Sequence, residues 1–333
     1  MNYLSVCSGI EAATVAWHHM GWKPVGFSEI EKFPSQVLAH HYPQVTNFGD
    51  MTKYKEWKLD DSIGLLVGGT PCQSFSVAGL RKGLDDPRGN LALTYVGILD
   101  KFRPKWCVWE NVPGVLSSGG GRDFGSFLGA LGELGYGWAY RVLDAQNFGV
   151  AQRRRRVFVV GCLGGWESAA KVLFESESLS WNTKKGRKKV QKPADNVANS
   201  VGALCARDYK GLSSDDLNAG KAIVEVIPIH AFIAEDNVIV FNANARPDEM
   251  NFLNNQSNTL TTGQRSACYN NMAVRRLTEI ECERLQGFPD NYTNIKENCP
   301  SGVRYKALGN SMAVPVMRWI GERINGYEQR GMA

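Results

Sequence analysis

The chain has 333 residues, 43% hydrophobic and 21% charged, with a formal net charge of +5. That length allows one large domain or two of ordinary size, with enough apolar residues for a substantial core, and the charge admits nucleic acid without demanding it. No apolar run approaches transmembrane length and no basic segment precedes an apolar core at the start, so a membrane or secreted protein is not expected and a cytoplasmic one is.

Strand-like and helix-like segments alternate through the first half. "YLSVCS" (3–8) predicts a strand and "EAATVAWHHMG" (11–21) a helix closed by Gly21. "PVGFSE" (24–29) predicts a second strand, followed by a helix over 33–41. "IGLLVGG" (63–69) and "WCVWEN" (106–111) are further strands. "NLALTYVGILDKF" (90–102) and "RDFGSFLGALGELG" (122–135) read as amphipathic helices, and "RRVFVVGC" (155–162) as a late strand. Strands alternating with helices predict an α/β domain with a mostly parallel sheet covered on both faces.

Residues 164–272 lose this alternation. They hold "NTKKGRKKVQK" (182–192), many Asn, Ser and Thr residues, and one short apolar strand, "VIVFN" (238–242). Helical pattern returns at "LTEIECERLQGF" (277–288) and "AVPVMRWIGERIN" (313–325). The expected organisation is one domain from 1–163 with 273–333, and a smaller irregular domain, 164–272, inserted in it.

Eight cysteines stand at 7, 72, 107, 162, 205, 268, 282 and 299, none in a C-x-x-C pair. With no ligand spacing among the histidines either, neither a metal site nor a disulfide framework is expected, and most of these thiols read as small core hydrophobes. Cys72 differs. In "GGTPCQSFS" (68–76) it follows a glycine-ended apolar strand and a proline, which presents it at a sheet edge as a candidate nucleophile.

Other polar residues also stand at strand ends. "LSVCSGIEAA" (4–13) is a strand, a tight turn at Gly9 and a helix start. Alone, the turn fits a ligand loop or an ordinary turn equally, and it fails the dinucleotide pattern G-x-G-x-x-G. Glu29 ends the second strand and Asp50 a possible third; each reads as a ribose acceptor or as a solvated cap. Glu110 ends the "WCVWEN" strand. "QRRRRVF" (152–158) adds Gln152 and four arginines. By strand alternation Arg154 and Arg156 share a face, although such a run taken alone reads as a solvated patch.

Six blocks stand in the order and spacing of one family. They are "SGIEA", "GGTPCQSFS", "ENVPG", "QRRRR", "RRLTEIECERLQGFPDNY" (275–292) and "YKALGNSMAVP" (305–315), and through them the chain resembles the DNA cytosine-5 methyltransferases everywhere except 164–272. The resemblance implies a Rossmann-like sheet of the S-adenosylmethionine-dependent methyltransferases, with a target-recognition domain as the insertion. It implies Cys72 as nucleophile, Glu110 as the acid facing the cytosine ring nitrogen, and Arg154 and Arg156 around the flipped base. It places S-adenosyl-L-methionine against Cys7, Ser8, Gly9, Ile10, Glu29, Ile30, Asp50, Met51, Asn310 and Ser311. Duplex DNA is the implied partner, with Gln73, Ser76, Gln152, Thr259 and Leu260 on its side; by residue type Arg81, Lys82 and Arg88 after Cys72, and Lys184 and Lys185 in the later basic run, suit phosphates, or else read as a static and a disordered surface loop. Cys7 stands where the family usually has phenylalanine and Glu11 where glycine is common, an acid that the helix dipole would favour. A monomer is expected, with a cognate restriction nuclease as a companion that such enzymes can have.

Rival readings differ in class. Some relatives with these blocks modify transfer RNA. A non-catalytic DNA-binding module is hard to square with Cys72, Glu110 and the arginines together, and a thiol protease lacks a histidine partner.

Overall fold

The computed structural model describes residues 1–70, 91–174 and 277–331, together with six short strands between 201 and 276. Two compact units emerge, Met1–Leu143 with Arg155–Asn182 and Val316–Ala333, and Asp144–Arg154 with Thr183–Pro315.

The first unit is an α/β sheet domain. Its strands begin with β1 (Asn2–Val6), β2 (Lys23–Ser28), β3 (Leu65–Gly68), β4 (Trp106–Asn111) and β5 (Tyr136–Asp144). After β6 (Gln152–Arg153), which belongs to the second unit, comes β7 (Arg155–Leu163). The sheet order is β2-β1-β3-β4-β7-β5. β1 runs parallel to β2 and β3, β3 parallel to β4, and β7 antiparallel to β4 with Glu110 opposite Phe158. The helices are α1 (Ala12–Trp17), α2 (Lys32–His41), α3 (Leu91–Phe102), α4 (Arg122–Glu133), α5 (Trp166–Leu173) and, at the end of the chain, Val314–Gly331.

The central strands are apolar on both faces because they are covered on both. Leu4, Val6, Leu66, Tyr95, Trp109 and Phe127 join one buried cluster, in which the Trp109 and Phe127 ring centroids lie 4.4 Å apart. Gly68 lets β3 close onto β1: a Cβ there would stand 2.6 Å from the Val6 carbonyl oxygen. The chain steps from β1 outward to β2 and then back past β1 to β3, so the sheet order reverses between β1 and β3. In open α/β sheets that crevice, at the strands' carboxyl ends, is where ligands bind.

In the second unit β6 pairs in parallel with β8 (Val201–Gly202). β9 (Val224–Glu225) pairs with β11 (Gln256–Ser257), while β10 (Val238–Asn242), β12 (Ser266–Asn270) and β13 (Ala273–Arg276) form an antiparallel sheet. Two helices follow, α6 (Glu279–Gln286) and α7 (Ser301–Asn310), which makes the chain-terminal helix α8. Thr278 and Glu281 start α6 with a reciprocal capping box. The fully buried Glu283 accepts from the Asn291 and Thr293 amides at 2.6 and 2.8 Å and pairs with Arg304 at 3.2 Å. A buried charge held this way is satisfied on every side and fixes the 287–300 loop to both helices.

Most expected elements lie within two residues of their predicted bounds. The possible strand before Asp50 is only a single bridge, Phe27 to Asn47, and Asp50 caps a short 3-10 turn, Met51–Glu56. The helix α5 forms inside the stretch that was expected to be irregular.

Candidate active site

The turn after β1 contains three left-handed residues, Cys7 (φ 48), Gly9 (φ 55) and Glu11 (φ 66). It is tied to β2 by Ser8, whose amide donates to the Ser28 carbonyl and whose hydroxyl accepts the Ser28 amide, both at 3.1 Å. Glu29, at the end of β2, accepts the Gly9 amide on Oε2 at 2.8 Å and the Glu31 amide on Oε1 at 2.7 Å. Burial pushes the Glu29 carboxyl above its ordinary range, and the two amides oppose that shift. Glu11 accepts from Ser5 and Thr14 beneath the same turn and is 1% exposed. Its carboxyl is pushed up to about 7 by burial.

This edge fits the adenosyl part of S-adenosyl-L-methionine. A carboxylate has about four acceptor sites, so Glu29 keeps capacity for ribose hydroxyls after taking two amides. Ile30, 74% exposed beside it, offers an apolar ledge of the kind a purine ring covers. No atom lies within 4 Å of where a Cβ on Gly9 would stand, so a ligand can approach the backbone there. Asp50 uses Oδ1 to cap Thr52 at 2.9 Å, and Met51 is buried against Cys7, whose thiol reaches the Met51 sulfur at 3.4 Å. The Cys7 thiol is pushed up to about 12 by burial. It therefore stays protonated and is no rival nucleophile.

Further along the same edge, β4 fixes the end of β3. Trp109 Nε1 donates to the Thr70 hydroxyl and Asn111 Nδ2 to the Thr70 carbonyl, each at 2.9 Å. Thr70 and Asn111 are both 3% exposed, so the backbone is pinned two residues before Cys72. Alternation turns Glu110 to the face opposite Trp109 and Asn111. There its Oε1 meets Arg156 Nε at 3.1 Å, and Oε2 has no partner among the described residues. The sequence reading missed the Thr70 pin, although an indole and an amide spaced two apart around Glu110 were a visible signal.

The second unit holds the remaining predicted residues that are described. Arg154 is 3% exposed and donates through Nη2 to the Gly309 and Ser311 carbonyls at 3.2 and 2.7 Å. Its amide donates to Asp144 at 2.9 Å. Gln152, expected at the DNA surface, is instead fully buried and donates to the Leu285 carbonyl at 2.8 Å, because β6 runs beneath α6 rather than along the surface. Ser311 is buried at the end of α7, while Asn310 is exposed there. The expected alternation through the arginine run stops at Arg154, which lies between β6 and β7. Cys72, Gln73, Ser76, Arg81, Lys82, Arg88, Lys184, Lys185, Thr259 and Leu260 lie outside the described residues.

The family model for C-5 cytosine-specific DNA methylases matches residues 1–326. The chain belongs to that family. Methyl transfer to cytosine is the family's reaction, and S-adenosyl-L-methionine is the cofactor that membership implies. The chain is 35% identical to an Escherichia phage P1 protein named DNA N-6-adenine-methyltransferase, across 97% of this chain and 61% of that one. It thus spans about three fifths of that relative's length. It is 28% identical to the type II methyltransferase M2.BsuMI of Bacillus subtilis, across 98% of this chain and 75% of that protein. In fold it is similar to the S. pombe Dnmt2 methyltransferase, with a TM-score of 0.58 and 18% identity over 98% of this chain and 99% of the other. Among the described residues no helix is long and apolar enough to cross a membrane.

Proposed function

We propose that the protein methylates carbon 5 of cytosine in duplex DNA, sequence-specifically, through a covalent bond to Cys72. The observation that carries this reading is Glu110, held by Arg156 at the end of β4 with one carboxylate oxygen unpartnered among the described residues, beside a β3 end pinned at Thr70. The pin fixes the root from which Cys72 is delivered. The cofactor supplies an electrophilic methyl group on a sulfonium.

Carbon 5 of cytosine is a poor nucleophile, and covalent catalysis divides the difficulty. The Cys72 thiolate adds to carbon 6. The displaced electron pair moves toward the ring nitrogen, where Glu110 shares a proton. Carbon 5, now enamine-like, takes the methyl group; its proton then leaves, and the Cys72 sulfur departs with the electron pair of its own bond. Arg156 orients Glu110 and stands beside the base. Within the second unit Arg154 holds the Gly309–Ser311 backbone. The target must leave the helical stack for any of this, at a cost of a few kcal/mol.

We assign 1–163 with 273–333 to catalysis and 164–272 to target recognition, with Lys184 and Lys185 on phosphates and Thr259 and Leu260 in the base-reading region. Asn310 and Ser311 belong to the cofactor's surroundings. Gln73, Ser76, Arg81, Lys82 and Arg88, which follow Cys72, serve the DNA side. A restriction nuclease with the same target is a natural companion, and the cell interior the natural place of work.

The name of the phage P1 relative concerns adenine N6. An exocyclic amine carries its own lone pair and needs no thiolate, so the cysteine and the paired carboxyl favour cytosine. The test is expression in a methylation-free host, followed by nucleoside mass spectrometry and bisulfite sequencing of its DNA. The expected product is 5-methylcytosine at one short sequence. N6-methyladenine alone, or 5-methylcytosine in transfer RNA with none in DNA, overturns the reading.

A further inference from the structure

Glu11 occupies a position that physical chemistry disfavours twice over. It is a non-glycine residue in left-handed backbone, and its carboxyl is buried with no ion-pair partner among the described residues. Such strain persists where the surroundings enforce it, and commonly at functional turns. Three donors do so here. Ser5 Oγ donates to Oε2 at 2.8 Å, and the Thr14 amide and hydroxyl donate to Oε1 at 3.2 and 3.1 Å. Tyr3 closes the chain on the Thr14 hydroxyl at 2.6 Å. Ser5 and Tyr3 belong to β1, Thr14 to α1, and the Glu29 carboxylate faces Glu11 from the end of β2.

We propose that Glu11 is a positioning residue for the cofactor: its buried carboxylate holds the Cys7–Glu11 turn in the shape that delivers the Gly9 amide to Glu29, and so sets cofactor affinity. This rests on the cofactor site assigned to that turn. All three contacts require an acceptor. A proton on Oε2 turns that oxygen into a donor, so the Ser5 hydroxyl must reverse and accept, and a charge-assisted contact becomes a weaker neutral one. A cofactor carrying a positive charge also favours the ionised form over a neutral one, and S-adenosylhomocysteine, which lacks that charge, isolates this contribution. Both effects have the same sign. Affinity is full above the carboxyl's titration near neutral pH and falls as pH drops through it.

The experiment is calorimetric titration of S-adenosyl-L-methionine and S-adenosylhomocysteine into the full chain at pH 6 and pH 8, with amide hydrogen exchange of the unliganded turn. A single carboxyl titrating near 7 makes the wild type bind about tenfold more weakly at pH 6. Glu11→Gln keeps the Thr14 acceptor but, like the protonated acid, offers Ser5 a donor, so it binds as the wild type does at pH 6 and does so at both pH values. Ser5→Ala removes a donor to the carboxylate and moves the transition to higher pH. Glu11→Ala binds weakly at both pH values and speeds exchange at the Gly9 amide. Wild-type affinity in Glu11→Ala, with unchanged exchange, overturns the proposal. So does a full pH dependence retained in Glu11→Gln, which would place the titration on Glu29; this variant decides the matter should Glu11→Ala fail to fold. A wild type that binds neither nucleoside overturns the cofactor site itself.

Discussion

The carboxyl edge of the sheet has two ends that treat acids differently. At β1 and β2, Glu11 and Glu29 are buried among hydroxyls and amides, and burial raises both carboxyls. At β4, Glu110 is already paired with Arg156. The first end is short of positive charge and the second is not. In the proposed function, a cationic cofactor would complete the first, and a neutral base would need only orientation and a shared proton at the second. Under that function, electrostatic incompleteness suits a charged ligand, whereas an ion pair with one oxygen to spare among the described residues suits the steering of chemistry.

The largest expected effect lies at the second end. Cys72→Ser should abolish methyl transfer, because a hydroxyl without an adjacent base is a far weaker nucleophile near neutral pH. It should leave cofactor and DNA binding intact. A target cytosine bearing fluorine at carbon 5 should trap the wild type in an adduct that survives denaturing electrophoresis, requires cofactor and maps to Cys72. An adduct at another cysteine sinks the mechanism. Glu110→Gln comes next, with a loss of about 10²–10⁴ in single-turnover rate, the usual worth of a positioned proton donor. Cofactor affinity should stay within about twofold by calorimetry; a larger shift would erase the division between the two ends.

At the first end, Glu29→Ala should weaken cofactor binding by about 1.5–3 kcal/mol, as ribose hydroxyls lose a charged acceptor. DNA binding without cofactor should barely change. Unaltered cofactor affinity by calorimetry would remove Glu29 from the site. The smallest effect is on stability. Glu11 binds its proton more tightly folded than unfolded, so its contribution falls as pH rises from about 4.5 to about 7 and is flat above. By that sign Glu11→Gln should gain on the wild type at pH 8, by at most about 3 kcal/mol, and the gap should close toward pH 4.5. Denaturant melts at the two pH values check it, and a gap independent of pH would mean that Glu11 is not the group titrating.

Much of this edge was legible in the sequence. β1, β3 and β4 are short apolar runs closed by a turn, a glycine pair or an acid, and those punctuation marks are local. What the sequence hid was tertiary. Glu11 read as an acid favoured by a helix dipole, yet it is a buried cap whose carboxyl is raised, because burial depends on what packs over it. The helix α7 was not predicted, since Gly302 and Gly309 weaken its propensity and contacts from distant residues secure it, among them the Arg304–Glu283 pair, Gln286 on the Leu308 carbonyl and Arg154 on the Gly309 carbonyl. Gln152 sits in a polar run that looks exposed, and its burial follows from the Leu285 carbonyl, 133 residues along the chain. The strand β5 mixes polar and apolar residues without clean alternation, as an edge strand can.

Gly68 carries a consequence for distance. In the proposed site the cofactor end hangs on β1 and the catalytic end on β3, and at Gly68 these strands approach so closely that an added methyl group would stand 2.6 Å from both the Val6 carbonyl oxygen and the Val6 Cγ2. A methyl donor and its acceptor must meet at about 3–3.5 Å to react. A side chain at 68 would push β3 away from β1 and widen that gap, because the atoms in its way are a backbone oxygen and a buried methyl group rather than the tip of a flexible side chain. The missing side chain is the gauge of the site.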